Sequence, residues 1–171
     1  MKSWLAYTMF AATTALPAAH DPEYLRLGLL EEAHEFLSAY CAMRATELGL
    51  QKRLLRGDDE ATLAAKRADI DRHRQKAIEE LGDVCWYTAR AGHSTQPSPS
   101  RDGDPICVLL GIDMLKKMSA KDIYWIGNHG GHIVSHGLSL LGVSLADVLT
   151  ANVAKLTARK EAGTIQGQGD R

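Results

Sequence analysis

Two short acidic runs carry the most informative chemistry in this 171-residue chain: Glu31-Glu32-Ala33-His34-Glu35 and Glu79-Glu80-Leu81-Gly82-Asp83. Glu32 and Glu35 stand three apart, as do Glu80 and Asp83, so in a helix each pair shares a face. Neither face reads as an outer one. Glu32 falls between Leu29 and Phe36 on an apolar stripe, Glu80 comes one turn before Val84, and Asp83 one turn before Tyr87. Four carboxylates turned toward the buried side repel one another and lose hydration that nothing in the sequence returns. A hard divalent cation removes that penalty. Mg²⁺ prefers oxygen ligands and is commonly shared with substrate phosphates, and Mn²⁺ can substitute for it. One acidic i,i+3 pair is ordinary on a solvated helix. Two pairs interrupting apolar stripes on helices that can pack together point to a metal site.

The elements that must hold these acids are all helical. A first helical pattern covers residues 3–15, with Trp4, Leu5, Thr8, Met9 and Ala12 on one face, before Pro17 interrupts it. Asp21 before Pro22 is an N-cap signal. It opens a second helix into the 40s, striped by Leu25, Leu29, Ala33, Phe36, Leu37 and Tyr40 and weakened at Gly49. Gly57-Asp58-Asp59 is a break. A third helix over 59–91 is charged in its first half and apolar in its second, through Ile78, Leu81, Val84, Cys85, Tyr87 and Thr88, until Gly92. Residues 92–105, rich in Ser, Pro and Gly, read as a mobile loop. A short helix follows at 106–117. Ser119 with Asp122 suggests a capping box, and His129-Gly130-Gly131-His132 an interruption or a start. Ser144 is an N-cap with Asp147 at N3 for a last helix over 145–161, after which the glycine-rich tail is not helical. No strand and no repeat is evident. The fold class is therefore all-α, in one domain over 1–171.

Other residues offer weaker signals. Asn152, Lys155 and Arg159 lie at i, i+3 and i+7, so an amide and two cations share a face suited to phosphate or sugar contacts. The same stripe is also what a helix C-terminus favours electrostatically. His132 and His136 have i,i+4 spacing that can bind Zn²⁺, with His129 nearby, but no cysteine or acid completes a set. Trp86, Trp125, Tyr87 and Tyr124 could stack on a base, and residues 121–132, with Asn128, could line a pocket for one. Net charge is −1, which gives no reason to expect a nucleic-acid polymer as partner. Cys41, Cys85 and Cys107 are odd in number and far apart, which suggests reduced, buried thiols in the cytoplasm. Residues 15–19 have the small-residue look of a signal-peptide end, although the run before them holds Thr8, Thr13 and Thr14 and lacks a dense leucine core. No stretch has the roughly 18 strongly apolar residues a membrane span needs.

On these motifs the chain resembles the MazG-like family, whose pattern is E-E-x-x-E on one helix and E-x-x-D on a second. Here it reads Glu31-Glu32-x-x-Glu35 and Glu80-x-x-Asp83. The flanks Leu27-Gly28-Leu29-Leu30 and Val84-Cys85-Trp86-Tyr87 are similar too. A third block, Leu141-Gly142-Val143-Ser144-Leu145 with Asn152-Val153-Ala154-Lys155-Leu156 and Arg159-Lys160, is similar to the family's last helix. The ending Gly169-Asp170-Arg171 looks like those of phage-type members. The blocks and their flanks cover roughly half the chain. Two features depart from the pattern. The interval filled by residues 36–79 is longer than the family usually has, and 92–140 looks inserted.

The resemblance implies a bundle of four main helices with a helical insertion, assembling as a homodimer or homotetramer. The N-terminal helix and the segment 106–126 would offer apolar faces for that assembly. It also implies Mg²⁺-dependent hydrolysis of a (deoxy)nucleoside triphosphate between its α and β phosphates, in phage nucleotide metabolism within the host cytoplasm. Carried over residue by residue, Glu32, Glu35, Glu80 and Asp83 are the ligands and Glu31 is the base, with Glu79 second for that role. Asn152, Lys155 and Arg159 bind substrate. The MazZ-like, (d)GTP-directed subgroup is the one the chain looks compatible with. Two alternatives come from other classes. Glu31-x-x-His34 matches half of a di-iron bundle's ligand pattern, and a non-catalytic helical interaction protein would need no substrate.

Overall fold

The computed structural model describes residues 3–15 and 17–164. Leu16 and the tail from 165 onward, with Gly169-Asp170-Arg171, lie outside the described residues. Among those described there are six α-helices and no strand: α1 (Trp4–Thr13), α2 (Pro22–Arg56), α3 (Glu60–Arg90), α4 (Pro105–Lys117), α5 (Ile123–Leu141) and α6 (Leu145–Glu161). Short 3-10 turns at Pro17–His20 and Ala120–Asp122 precede α2 and α5. The fold is an all-α bundle.

α2 and α3 form a long antiparallel hairpin whose ends are fixed locally. Asp21 accepts a hydrogen bond from Glu23 N at 2.9 Å, with Pro22 in the first turn. Gly57, at φ 75°, closes α2 in the left-handed region that glycine enters without a Cβ penalty. Asp59 accepts from Thr62 N at 2.9 Å and starts α3. Gly49 does not interrupt α2, which runs for 35 residues. α2 buries the stripe expected of it. α5 packs on α3 and α4, α6 on α3, and α4 on α2 as well as α5.

One apolar core draws on all six helices. The segment 92–140 is therefore structural rather than appended: Val108, Ile112, Leu115, Ile126, Ile133, Val134 and Leu138 are all buried in that core. Its loop is pinned to α5, Ser100 N donating to Ser135 O at 3.1 Å and Ser139 Oγ to Ser100 O at 2.8 Å. α5 passes through His129-Gly130-Gly131-His132 without a break. The glycines there are gaps for neighbours. A Cβ on Gly130 would strike Thr88 Oγ1 and stand 3.1 Å from Leu29 Cδ2. Ser119 makes no capping box. Its Oγ accepts from Lys121 N at 3.3 Å and opens a 3-10 turn, so α5 begins only at Ile123. Ser144 caps α6 as expected, accepting from Asp147 N at 3.2 Å.

α1 turns a different face inward from the one its large side chains suggest. Trp4, Tyr7 and Ala11 are buried, while Leu5 and Met9 face outward. Two polar anchors set this rotation: Trp4 Nε1 donates to His93 O at 2.8 Å, and Trp86 Nε1 to Thr14 Oγ1 at 3.0 Å. A buried indole N–H needs an acceptor, and this rotation supplies one to Trp4. Of the cysteines, Cys85 is buried and Cys107 partly so, but Cys41 is exposed on the outer face of α2, against the expectation of three buried thiols. No single helix among the described residues is long and apolar enough to cross a membrane.

Candidate metal centre

The acids meet at the base of the α2–α3 hairpin. One carboxylate oxygen each from Glu32, Glu80 and Asp83 lies within 4.8 Å of the others. Glu80 is 2 % exposed, and Glu32 and Asp83 are half-buried. An octahedral Mg²⁺ shell at about 2.1 Å spaces its oxygens by ~3 Å (cis) to ~4.2 Å (trans). The cluster therefore closes on an ion with side-chain movements of under about 1 Å. Its donors are all oxygens, which suits Mg²⁺ or Mn²⁺ and not a soft metal.

The packing brings the acids this close by removing side chains around them. A Cβ on Gly82 would stand 2.9 Å from Asn152 Cβ, so only glycine lets α6 approach α3 beside Asp83. A Cβ on Gly137 of α5 would stand 2.6 Å from Leu81 Cδ1 and 3.1 Å from Phe36 Cζ, so glycine also lets α5 close on α2 and α3 one residue from Glu80 and one turn from Glu32.

Electrostatically the cluster is under load. Burial, then the charges of Asp83, Glu80 and Glu35, and last the proximity of the Glu80 carboxyl as a hydrogen-bond partner, push the Glu32 carboxyl from its ordinary 4.5 up to about 9. Burial also raises Asp83, against the opposing pull of Lys155 and Asn152. Burial and the Glu80 charge raise Glu35. Two lysines neutralise what remains. Lys155 Nζ pairs with Asp83 Oδ2. Lys76 Nζ lies against Glu80 Oε1 as an ion pair without the alignment of a hydrogen bond. The two ammonium groups thus offset part of the charge that the three acids bring together.

The structure separates the expected site residues into groups. Glu32, Glu80 and Asp83 converge. Glu35 stands outside the tight cluster, its side chain 51 % exposed and its Oε2 4.0 Å from Lys76 Nζ. Glu31 is exposed on the neighbouring face of α2, close enough for its charge to be felt at Glu35. Asn152 and Lys155 reach the cluster by holding Asp83: Asn152 Nδ2 donates to Asp83 Oδ1 at 2.7 Å. Arg159 is half-buried two turns further along α6. Glu79 accepts from Gln75 Nε2 at 2.9 Å on its own helix.

Two residues escaped the sequence reading. Lys76 was visible, since it precedes Glu80 by four on α3 and such a pair is a standard helical ion pair. Tyr7 gave no local signal. It reaches Asn152 across 145 positions of sequence, from a helix whose buried face was assigned to other residues.

The rival readings find little support in the placement of their residues. His34, which a di-iron site would need, is exposed, with Nδ1 on its own helix's Leu30 O at 2.7 Å. His136 Nδ1 faces Ser100 Oγ at 3.3 Å, and the ring centroids of His129 and His132 are 6.3 Å apart. Among the described residues, only the acidic trio assembles as a potential metal-binding group. Of the aromatics, Tyr87 is buried and Trp86 half-buried, and Tyr124 and Trp125 stack edge-to-face on the surface. Trp125, Asn128 and His132 do line a cleft of about 300 Å³ with His93 and the loop 95–98. It is not lined by the acids, and Asn128 Oδ1 is already engaged by His93 Nδ1 at 3.2 Å. No protein-family model, curated protein or solved structure matches the chain at a meaningful level.

Proposed function

We propose that this chain is a MazG-like, Mg²⁺-dependent nucleoside triphosphate pyrophosphohydrolase. The observation that carries the reading is the convergence of Glu32, Glu80 and Asp83, flanked by two lysines whose charge a divalent cation would replace. When bound, Mg²⁺ supplies charge neutralisation at phosphate oxygens and lowers the pKa of water.

The chain's own residues have distinct tasks in this reading. Lys76 is 54 % exposed, so its ammonium can withdraw to solvent. That one movement frees both Glu80 and Glu35, which supplies the fourth carboxylate. Lys155 is only 20 % exposed and is held by Asp83. With an ion beside Asp83, the Lys155 ammonium would be free to pair with a phosphate oxygen instead. Asn152 keeps Asp83 oriented. Arg159 extends the cationic face of α6 along the triphosphate. Glu31 lies beside the ligand set and takes a proton from the attacking water. Water adds across the α–β anhydride, and monophosphate and pyrophosphate leave. The preferred substrate is dGTP or GTP, with the Trp125–Asn128–His132 cleft as the region that would read a base.

The test is a screen of all ribo- and deoxyribonucleoside triphosphates for pyrophosphate release with Mg²⁺ or Mn²⁺. Asp83→Asn and Glu35→Gln should each abolish release while the helical content is retained. Wild-type turnover in either variant would sink the ligand assignment. Absence of turnover with every nucleotide would favour a non-catalytic helical protein.

A further inference from the structure

The Asn152 amide beside Asp83 does not stand alone. Asp83 Oδ1 can only accept, so the side of the amide facing it must be Nδ2, and the bond is 2.7 Å. That fixes Oδ1 of Asn152 on the other side, where it needs a donor. Asn152 is 1 % exposed, so water does not provide one. Tyr7 Oη does, at 2.7 Å, from α1. The same hydroxyl also approaches Gly82 O at 3.3 Å. A phenol has one hydrogen, and the shorter claim on it is the amide's. Tyr7 is fully buried among apolar side chains, and burial together with the charges of Cys85 and Asp83 keeps the phenol protonated as a donor well beyond its ordinary range.

We infer that Tyr7 is a positioning residue for the metal centre: its hydroxyl locks the orientation of the Asn152 amide, which in turn holds Asp83 toward Glu32 and Glu80. The chain of contacts is Tyr7 Oη to Asn152 Oδ1, then Asn152 Nδ2 to Asp83 Oδ1, linking α1, α6 and α3. Without the hydroxyl, Asn152 Oδ1 is left in a dry site with no donor. The amide then gains by rotating, and Asp83 loses the bond that orients it. Hydrogen-bond partners behind a metal ligand typically change affinity 10–100-fold. The inference rests on the reading of the acids as a metal centre.

The test is Tyr7→Phe, which removes one oxygen and keeps the ring. Purified wild type and variant, stripped of metal with chelator, are titrated calorimetrically with MnCl₂. Expected is a roughly 10–100-fold loss of Mn²⁺ affinity in Tyr7→Phe. In an Asn152→Ala background the same change should have no further effect, because the link it acts through is gone. Unchanged affinity in Tyr7→Phe, or losses that multiply in the double variant, would overturn the role of Tyr7 alone. No Mn²⁺ uptake by the wild type would overturn the metal centre itself. Should Tyr7→Phe fail to fold, the side-chain amide protons of Asn152 are followed by NMR in the wild type. Slow exchange and a shift on adding Mg²⁺ support the lock, and fast exchange typical of a solvated amide refutes it.

Discussion

Replacing Glu32 by Gln should make the metal-free protein more stable, and only at neutral and alkaline pH. The carboxyl's pKa rises from 4.5 to about 9 in the folded chain. Folding therefore takes up a proton between those values, and the wild type loses stability as pH rises through that window. At pH 7.5 the gap above 4.5 is three units, or ~4 kcal/mol at about 1.36 kcal/mol per unit. Because Glu80 and Asp83 share the load, ~2–4 kcal/mol is the expected gain on substituting the neutral isostere. For a chain of this size that raises Tm by on the order of 5–15 °C. By pH 4.5 the Glu32 carboxyl is neutral in the fold and only half ionised in the unfolded chain, so the two stabilities should nearly meet. Thermal unfolding followed by circular dichroism, in chelator at pH 4.5, 6, 7.5 and 9, measures this directly. Adding Mn²⁺ or Mg²⁺ at pH 7.5 should then close the gap, stabilising the wild type by ~2.7 kcal/mol at 100 times Kd and ~4.1 kcal/mol at 1,000 times Kd, and Glu32→Gln hardly at all. A Glu32→Gln variant that is less stable in chelator at pH 7.5, or a difference that does not change with pH, would refute the loaded, proton-holding cluster.

Two glycine substitutions should move stability in opposite directions. Gly130→Ala drives a methyl into Thr88 and Leu29 and should cost ~1–3 kcal/mol, whereas Gly49→Ala has nothing within 4 Å and should gain ~0.5–1 kcal/mol from helix propensity. Equal Tm values for the two would contradict the close packing of α5 on α3. Self-association is expected through α4, which leaves Ile106, Leu109, Leu110 and Met114 exposed between Asp102 and Asp104 at one end and Lys116 at the other, Lys117 being paired with Asp113 on the same helix. A second copy set antiparallel brings these unlike charges together. Leu110→Lys should lower the mass seen by light scattering to that of one chain; an unchanged larger mass moves the interface elsewhere, and a single-chain wild type removes it.

Much of the scaffold was legible because its signals are local. Asp21-Pro22, Gly57, Asp59 and Ser144 each act within one turn, and the α2 and α3 stripes repeat often enough to outweigh single residues. The acids were legible because their spacing contradicted the stripes they interrupt. What failed depended on partners distant in sequence. Gly130 and Gly131 look like breakers until Thr88 and His93 are seen to occupy the missing volume. α1 was rotated wrongly because Leu5 and Met9 outweigh Tyr7 and Ala11 on any hydrophobic tally, whereas the acceptor for Trp4 comes from His93. The different surroundings of Glu35, exposed beside Lys76, and Glu32, half-buried against Glu80 and Asp83, follow from how α3 packs on α2, which spacing on α2 alone does not contain.

The α2–α3 hairpin carries its apolar burial very unevenly. From Arg44 to Lys76, Leu63 is the only buried residue, and the ion pairs of that length, such as Arg53–Asp58, Lys66–Asp69 and Arg67–Glu60, lie within one helix or at the turn and do not tie α2 to α3. Pairs of this kind contribute ~0–1 kcal/mol each and weaken in salt. The distal half should therefore open well below the global unfolding free energy, and its amide hydrogens should exchange first. Heat or salt would unzip the hairpin from its tip toward the acids. A protease given time would cut near residues 48–60, leaving two fragments still clasped by the core around the carboxylates.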